Sequence, residues 1–542
     1  MKAMLRAMTL AAAGACLPTV LAQETPPTAD PIRVIYEAPP AHAPNVLVPP
    51  TPTPLSLGLE AAFADSSNFV ELLPVTFEEI DAADRELAER YRDIHPGPER
   101  IGIVRSPDSE LVIDASVARA TPLDDGRTLW TLAVTSPTAC GLRLFIDEFD
   151  VGDGQMVIYS PDVDGLVVRG PFTSVGPNGS GEFWTASLPG DTAFIEVAGH
   201  APPQFRVAQL VHFDRLPGGD STERTRCNPG TTLNCHIDVM CRSVDECARQ
   251  ATGQMNFIVG ASCAVCTGTL LNDYDGETVV PHFLTAWHCI SDQAQVNTLE
   301  VAFNYQTAFC GDPTTPNWNS ASRVVGGTLL ASADIEGGND MSFIRLAAMP
   351  GNACLAGWTT LTGGGSYGIH HPAGSWKRFY AITDVGVCPG CETCPWDSDE
   401  FDFYDMLDGI MQGGSSGSGA FTGDGRLCGT LTGQCCIVVG CGDPDAECTN
   451  RDDFVVGYGE FEQTFPLIYR WLLIGGTINV NRAYNGPEFG TPAEPFNTFV
   501  EGFNFAWNGT RVRLVANNYP ETGVFNKQVT LLATGGPVVI GQ

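Results

Sequence analysis

Two stretches decide the fold of this chain: Gly414-Ser415-Ser416-Gly417-Ser418 and, upstream, Thr285-Ala286-Trp287-His288-Cys289. A serine hydroxyl is a poor nucleophile until a neighbouring imidazole accepts its proton, and a carboxylate must hold that imidazole in the correct tautomer. Asp340, which leads into the apolar run from Met341 to Leu346, is the candidate carboxylate. The order His, Asp, Ser is one of three unrelated orders in which this constellation recurs. The pattern predicts a nucleophilic Ser416, with His288 as its base and Asp340 orienting His288.

Each motif alone has a simpler explanation, because Gly/Ser-rich turns are common and most single histidines are packed structural residues. The apolar strand Phe283 to Ala286 runs directly into His288, however, and Cys289 is able to pair with Cys266. Asp334 competes with Asp340 for the carboxylate role. Only Asp340 leads directly into an apolar strand, so it is preferred.

The glycines around the predicted nucleophile permit a tight turn that leaves Ser416 exposed. In such a turn the backbone N–H groups of Gly414 and Ser416 converge as an oxyanion hole, which is typically among the largest contributions to catalysis.

The composition describes an exported, acidic protein. A net charge of −34 argues against nucleic acid as a partner. Sixteen of the 19 cysteines lie between Cys235 and Cys448, a density typical of disulfides in an oxidising compartment. Residues 1–22 have the basic start, apolar stretch and small-residue end of a signal peptide. Lipidation at Cys16 is the alternative. No later apolar run approaches the ~18 residues of a membrane span.

The chain divides into segments of different composition. A Pro-rich spacer with a short helical segment at 76–93 covers residues 23–99, and residues 100–226 contain repeated short strands typical of a β-sandwich. Residues 227–475 hold the motifs and most of the cysteines. Residues 476–542, which contain no cysteine, form a small β-rich module.

The cysteine-rich region resembles bacterial lysyl endopeptidases, which are secreted serine proteases of the chymotrypsin fold made with a propeptide. The matching stretches are Cys235-His-Ile-Asp-Val-Met-Cys241, Cys266-Thr-Gly-Thr-Leu-Leu-Asn272, Phe283-Leu-Thr-Ala-Trp-His-Cys289, Phe303-Asn-Tyr-Gln306, Ile369-His-His-Pro372, Gly414-Ser-Ser-Gly-Ser418 and Thr449-Asn-Arg451. The resemblance implies an all-β architecture: a double β-barrel protease domain, preceded by the sandwich-like pro-region and followed by the small tail. The tail itself resembles the first coils of a right-handed parallel β-helix.

The resemblance also implies disulfides and a specificity pocket. The disulfides are Cys266–Cys289 and Cys241–Cys310, with Cys235 reaching Cys441 or Cys448. The pocket has Asp453 near its base, with Asp452 one residue away as the alternative, and Thr432 and Gly433 in the strand beside the substrate. A carboxylate at the base would select a basic side chain by charge.

One departure from the family bears on specificity. Where the family's lysine enzymes carry a histidine beside the substrate, this chain has Leu431-Thr432-Gly433-Gln434. No lysine occurs from Ala3 to Trp376, so a strictly lysine-specific enzyme could not remove its own pro-region. Arg224 and Arg226 are the candidate processing sites. After such a cut Cys227 would lie on the mature side, and parity leaves Cys140 as its partner.

The sequence predicts a secreted serine endopeptidase that cleaves protein or peptide substrates after Arg or Lys and needs no cofactor. Calcium that stabilises acidic loops is the one exception. Two clusters contain residue types that ligate metals, namely Cys388-Cys391-Cys394 and His370-His371. Disulfides are preferred for the cysteines, and a structural role at a strand end is preferred for the histidines. The competing function is that of a non-catalytic adhesion or binding protein built on a protease-like scaffold.

Overall fold

The computed structural model describes residues 36–43, 50–59, 62–63, 68–94, 97–107, 111–215, 227, 233, 235–273, 279–351, 353–386, 396, 399–436, 448 and 451–541. The predicted signal peptide, the candidate processing sites Arg224 and Arg226, Cys441, and the cluster Cys388-Cys391-Cys394 lie outside the described residues.

Among the described residues of the N-terminal part there are one α-helix and fourteen strands. Their bounds are β1 (Glu37–Ala38), β2 (Ala41–His42), β3 (Phe69–Glu71), α1 (Phe77–Arg90), β4 (Glu99–Arg105), β5 (Leu111–Ile113), β6 (Arg119–Pro122), β7 (Thr128–Thr135), β8 (Gly141–Asp150), β9 (Gln155–Asp162), β10 (Gly165–Thr173), β11 (Phe183–Trp184), β12 (Leu188–Pro189), β13 (Thr192–Gly199) and β14 (Gln204–Phe213).

Strands β4 to β14 form a two-layer sandwich, because each sheet buries one face against the other. One sheet has the order β10-β9-β13-β7, and the other runs through β11, β8, β14 and β4. Leu132, Ile158 and Ile195 of the first sheet share a single apolar core with Leu144 and Val207 of the second.

The sequence fixes where α1 begins. Thr76 accepts a hydrogen bond from the Glu79 backbone, and the Glu79 carboxylate accepts one from the Thr76 backbone, which is a capping box. Ala83 and Leu87, one turn apart, are the buried residues of the helix. The predicted helical segment at 76–93 is therefore close to the observed one.

The middle part of the chain carries the motifs found in the sequence. Its elements are β15 (Ile237–Asp238), α2 (Glu246–Ala251), β16 (Thr252–Val259), β17 (Ser262–Leu271), β18 (His282–Thr285), α3 (Gln293–Thr298), β19 (Glu300–Phe303), β20 (Ser322–Val325), β21 (Gly327–Ala333), β22 (Met341–Leu346), β23 (Cys354–Leu355), β24 (Trp358–Thr359), β25 (Tyr367–His370), β26 (Arg378–Gly386), β27 (Phe401–Asp408), β28 (Gly419–Phe421), β29 (Leu427–Cys436), β30 (Phe454–Glu460) and α4 (Phe461–Ile474).

These strands build two antiparallel barrels. In the first, the order is β21-β22-β18-β17-β16-β19-β20. In the second, β29-β28-β25-β26-β27-β30 closes on itself, since β30 pairs with β29 as well as with β27. His288 follows β18 and Asp340 precedes β22 in the first barrel, whereas Ser416 precedes β28 in the second. This is the all-β, chymotrypsin-like double barrel that the resemblance implied.

The sandwich and the first barrel share one continuous sheet. Strand β4 lies between β14 of the sandwich and β17 of the barrel, and both of its edges are paired. The boundary predicted at residues 99/100 falls inside β4. The boundary predicted at 475/476 coincides with the end of α4, where Gly475 caps the helix with a positive φ of 55°.

The C-terminal part consists of β31 (Thr477–Val480), α5 (Phe499–Phe505), β32 (Arg511–Val515), β33 (Asn518–Tyr519), β34 (Thr530–Thr534) and β35 (Val539–Ile540). Strands β31, β32 and β34 stack in parallel, as do β33 and β35. Ile478, Val512, Leu514 and Phe503 form the core of this module. In the described part of the chain, no helix is long and apolar enough to cross a membrane.

Candidate active site

His288 is held by Asp340 at two points. The His288 backbone N–H donates to Oδ1 of Asp340 at 2.9 Å, and the Nδ1 atom of the ring lies 2.8 Å from Oδ2. Both side chains are buried, Asp340 completely. With Nδ1 donating to the carboxylate, the proton-accepting position of a neutral imidazole is Nε2. Nε2 is buried and has no hydrogen-bond partner among the described residues.

Covalent and backbone contacts fix the loop that carries His288. Cys289 is disulfide-bonded to Cys266 of β17, and Trp287 N–H donates to the Asp340 carbonyl at 3.1 Å. Asp340 has a φ of +53°, a left-handed conformation that aspartate tolerates better than most residues. The rival Asp334 uses its carboxylate to accept from Gly337 N–H at 2.8 Å, so it shapes the turn before Asp340.

The turn around Ser416 is built on glycine and held by Thr267. Ser416 itself is fully buried, so the expectation that the turn leaves it exposed is wrong for this form of the chain. Gly414 and Gly417 have positive φ values of 89° and 80°. A Cβ atom on Gly417 would lie 2.2 Å from Oγ1 of Thr285, so no larger residue fits there. Thr267 N–H donates to the Ser416 carbonyl at 2.8 Å, and Thr267 Oγ1 donates to the Gly414 carbonyl at 2.9 Å. Since β17 also pairs with β18, Ser416 and His288 are anchored to the same strand.

Ser415 is fixed from the second barrel. Its hydroxyl lies 2.8 Å from Nδ1 of His370 and accepts from Gln412 N–H at 3.2 Å. The Gln412 side chain in turn lies 3.1 Å from Nε2 of His236. Burial lowers the pKa of His236 to about 3, so this histidine is neutral. No sequence motif indicates this network, because only the fold brings these residues together.

The Nδ1 atoms of the adjacent His370 and His371 both face hydrogen-bond partners within the chain. His371 points Nδ1 at the Ser375 carbonyl, 2.8 Å away. Three candidate ligand atoms come together in only two described places, His42-Cys247-Cys354 and Cys266-His288-Cys289. In both places the two cysteines are bonded to each other.

A part of the N-terminal region reaches the site. The carbonyl of Gly97 accepts from Gly414 N–H at 3.1 Å, so one of the two predicted oxyanion donors is already used by the chain itself. The ring of Tyr91 lies edge-on to His288 with centroids 6.3 Å apart, and burial raises the pKa of Tyr91 to about 12. Just beyond Gly97, Glu99 of β4 is the ladder partner of Val265, next to Cys266. A cavity of about 350 Å³ remains between Tyr91, Gly97, Glu99 and Gly413.

The predicted specificity residues lie on, or directly before, two paired strands. Thr432 and Gly433 are buried in β29, and Gly433 is the ladder partner of Gly457 in β30. Asp453 is half-buried and immediately precedes β30, whereas Asp452 is exposed. Because a strand rises about 3.4 Å per residue, Asp453 lies roughly 14 Å along β30 from the row of Gly433.

Five disulfides join described cysteines. Cys266–Cys289, Cys241–Cys310 and Cys235–Cys448 are pairs that the resemblance implied, and Cys140–Cys227 is the pair suggested by parity. Cys247–Cys354 was not predicted. Cys263 and Cys428 are buried free thiols, which counting cysteines alone could not reveal.

The two barrels, with the His288–Asp340 pair on one and the glycine-flanked Ser416 on the other, define the chymotrypsin-like serine protease fold. Within that class, residues 229–450 are lysyl endopeptidase-like: they match the family model described as "Lysyl endopeptidase, C-terminal domain". A lysyl endopeptidase from Pseudomonas aeruginosa is 30% identical over 315 residues, which cover 53% of this chain. The chain spans 63% of the length of that relative.

Solved structures of serine proteases also resemble the chain, but weakly. The thermostable protease AL20 from an extremophilic microorganism matches 40% of this chain and 97% of its own, with a TM-score of 0.25 and 14% identity. The protease Anisep from Arthrobacter nicotinovorans matches 41% of this chain and 95% of its own, with a TM-score of 0.28 and 13% identity. Scores this low support no conclusion about function, and the fold follows from the strand pairing itself.

Proposed function

We propose that this protein is an exported serine endopeptidase that hydrolyses peptide bonds through an acyl-enzyme on Ser416. The observation that carries the proposal is the His288–Asp340 pair, which is joined by two hydrogen bonds. This pair is anchored to the same strand as the glycine-flanked Ser416. That anchoring gives the hydroxyl a base of defined tautomer, which a serine needs in order to attack a carbonyl.

Each residue has a role in the proposed reaction. Ser416 Oγ attacks the substrate carbonyl while His288 Nε2 takes its proton, and Asp340 stabilises the imidazolium that forms. The N–H groups of Gly414 and Ser416 stabilise the negative oxygen of the tetrahedral intermediate. His288 then returns the proton to the leaving amine, and water releases the acyl group by the same steps. The reaction needs no cofactor.

The form of the chain with Gly97 against Gly414 is the proposed precursor. A substrate carbonyl and the Gly97 carbonyl would compete for the same N–H donor. The N-terminal region therefore acts as an inhibitor while this contact persists, and Arg224 and Arg226 are the candidate processing sites. Export agrees with the five disulfides, since such bonds persist in oxidising compartments.

Cleavage of paired fluorogenic peptides ending in Arg, Lys or Leu tests the function. The processed protein is compared with its Ser416→Ala variant. We expect cleavage after Arg or Lys that disappears in the variant. If the processed protein shows no Ser416-dependent cleavage of any peptide, the alternative of a non-catalytic adhesion or binding protein replaces the proposal.

The preference for a basic side chain is assigned to Asp453, with Thr432 and Gly433 lining the substrate strand. Asp453→Asn is expected to lower kcat/KM for Arg and Lys peptides by about a hundredfold while leaving Leu peptides unchanged, because only a charged substrate loses its counter-charge. Asp452→Asn is the matched control, one residue away and exposed. Equal effects of the two variants on the cleavage of Arg peptides would show that Asp453 does not select the basic side chain.

A further inference from the structure

A buried polar cluster crosses the boundary between the sandwich and the first barrel. Glu300 of β19 is fully buried, and it accepts from the backbone N–H of Ser187, a sandwich residue, at 2.9 Å. Arg323 of the barrel donates to the same carboxylate at 3.0 Å. Burial alone would raise the pKa of Glu300, but Arg323 and Arg143 lower it to about 2. The carboxylate is therefore charged, and a buried charge requires all of its partners.

A second buried group makes the connection in the opposite direction. Arg143 of β8 is fully buried and donates to the Thr185 carbonyl of the sandwich at 2.7 Å. It also donates to the Thr298 carbonyl at the end of α3 at 2.6 Å. If the sandwich dissociated from the barrel, the Glu300 carboxylate would lose its hydrogen bonds from Ser187. The boundary thus has the character of a domain interior rather than of a transient contact.

The backbone is continuous across the same boundary. Ser262 and Cys263 of β17 are the ladder partners of Ile103 and Gly102 of β4. Below this ladder, residues of both parts form one apolar core. Its buried members are Ile101, Trp184, Val211 and Phe213 from the sandwich, with Cys263, Val265, Tyr305, Trp318 and Trp376 from the barrels.

A disulfide joins the two parts covalently. Cys140 follows β7 of the sandwich, and its partner Cys227 lies just beyond Arg224 and Arg226. A cut after either arginine would therefore leave the two pieces joined by this bond.

We infer that the sandwich (residues 99–213) is a permanent part of the mature protease and is not released as a propeptide. This inference rests on the proposed function only in taking the protein to be a protease that is processed. The mature enzyme is then a two-chain molecule, held by Cys140–Cys227, by the β4–β17 ladder and by the cluster around Glu300. A cut at Arg224 or Arg226 leaves Gly97 attached to the sandwich. Opening of the site therefore requires the segment before β4 to leave Gly414 while β4 stays paired with β17.

Controlled cleavage of the full chain tests the covalent hold. In a Ser416→Ala background, residues 217–223 are replaced by the recognition sequence of a site-specific viral protease, and the protein is digested. We expect one band at full mass without reductant and two bands with it. An N-terminal fragment that separates without reductant would overturn the inference.

The Cys140→Ser/Cys227→Ser double variant tests the non-covalent hold, because it removes the bond without leaving a free thiol. After the same digestion the fragments should separate in detergent but co-elute in native gel filtration. Adding Glu300→Gln should speed dissociation on dilution by about tenfold or more, since a buried carboxylate loses its charge. Glu336→Gln, at an exposed position, is the matched control. Separation of the double-variant fragments in native buffer would overturn the non-covalent part.

Labelling with a fluorophosphonate separates the inference from the proposed function. In digested protein with Ser416 intact, the label should run at full mass without reductant and with the C-terminal fragment after reduction. Labelled protein that has lost the sandwich would overturn the inference and keep the protease. A retained sandwich without label, together with no peptide cleavage, would overturn the proposed function and keep the inference.

Discussion

At the scale of single residues, the function of the site requires that the His288 ring be held in one orientation and one tautomer. Asp340 holds the backbone and the ring of His288 with its two carboxylate oxygens. Both side chains are excluded from water, so the other tautomer would set the Nδ1 lone pair against the Asp340 carboxylate with no proton between them. The carboxylate therefore selects the tautomer as well as the orientation.

Replacing Asp340 by Asn should leave the fold intact and abolish most activity. An amide presents a donor where Nδ1–H needs an acceptor, so the ring turns or changes tautomer, and kcat/KM should fall by about 10⁴. The measurement is peptide cleavage, with circular dichroism as the check on folding. Asp334→Asn is the control, because an amide oxygen can still accept from Gly337 N–H. Retention of more than about a tenth of the activity by Asp340→Asn would show that Asp340 does not orient the base.

At the scale of elements, sequence and structure agree where a signal is local. The apolar run of β18 ends at His288, and that of β22 begins after Asp340, so both residues could be placed at strand ends. The pairing of β4 with β17 had no such signal. Four consecutive residues of β4, Arg100 to Ile103, are buried, so both faces of the strand are covered. The sequence of the strand says nothing about which strand lies alongside. The contact of Gly97 with Gly414 could not be predicted from the sequence either, because a backbone carbonyl has no sequence signature.

Strand β17 offers a sharp test of how an element positions the nucleophile. Thr267 Oγ1 donates to the Gly414 carbonyl and accepts from His371 N–H at 3.0 Å. Thr267→Val should destabilise the protein by about 1–3 kcal/mol, because two buried backbone groups lose their partner. It should also lower kcat, since the Gly414 peptide is no longer held. Denaturant unfolding and peptide cleavage measure the two effects.

Thr269→Val, on the same strand, is the control for this change. The hydroxyl of Thr269 is buried and has no hydrogen-bond partner among the described residues, so its removal breaks no bond. We expect stability and kcat to stay the same or rise slightly. If both variants behave alike, the Thr267 hydroxyl does not anchor the turn.

At the scale of the whole molecule, four buried histidines make the fold sensitive to acid. Burial lowers the pKa of His236, His282 and His371 to about 3 and that of His370 well below its usual value. Unfolded histidine takes up its proton near pH 6.5. Between these values the unfolded chain binds more protons than the native one. Stability is therefore complete above about pH 6.5 and decreases as the pH falls toward 3.

His282 isolates this effect, because neither of its ring nitrogens has a described partner and its ring packs against Phe343 with centroids 5.0 Å apart. One such histidine should lower the free energy of unfolding by roughly 3 kcal/mol as the pH falls from about 6.5 to 4.5. His282→Leu should remove about that amount from the pH dependence, measured by urea unfolding across this range. His200→Gln, at an exposed position, should leave it unchanged. An unaltered pH dependence in His282→Leu would mean that His282 is protonated in the native protein, despite its burial in β18 beside the cation Arg345 of β22.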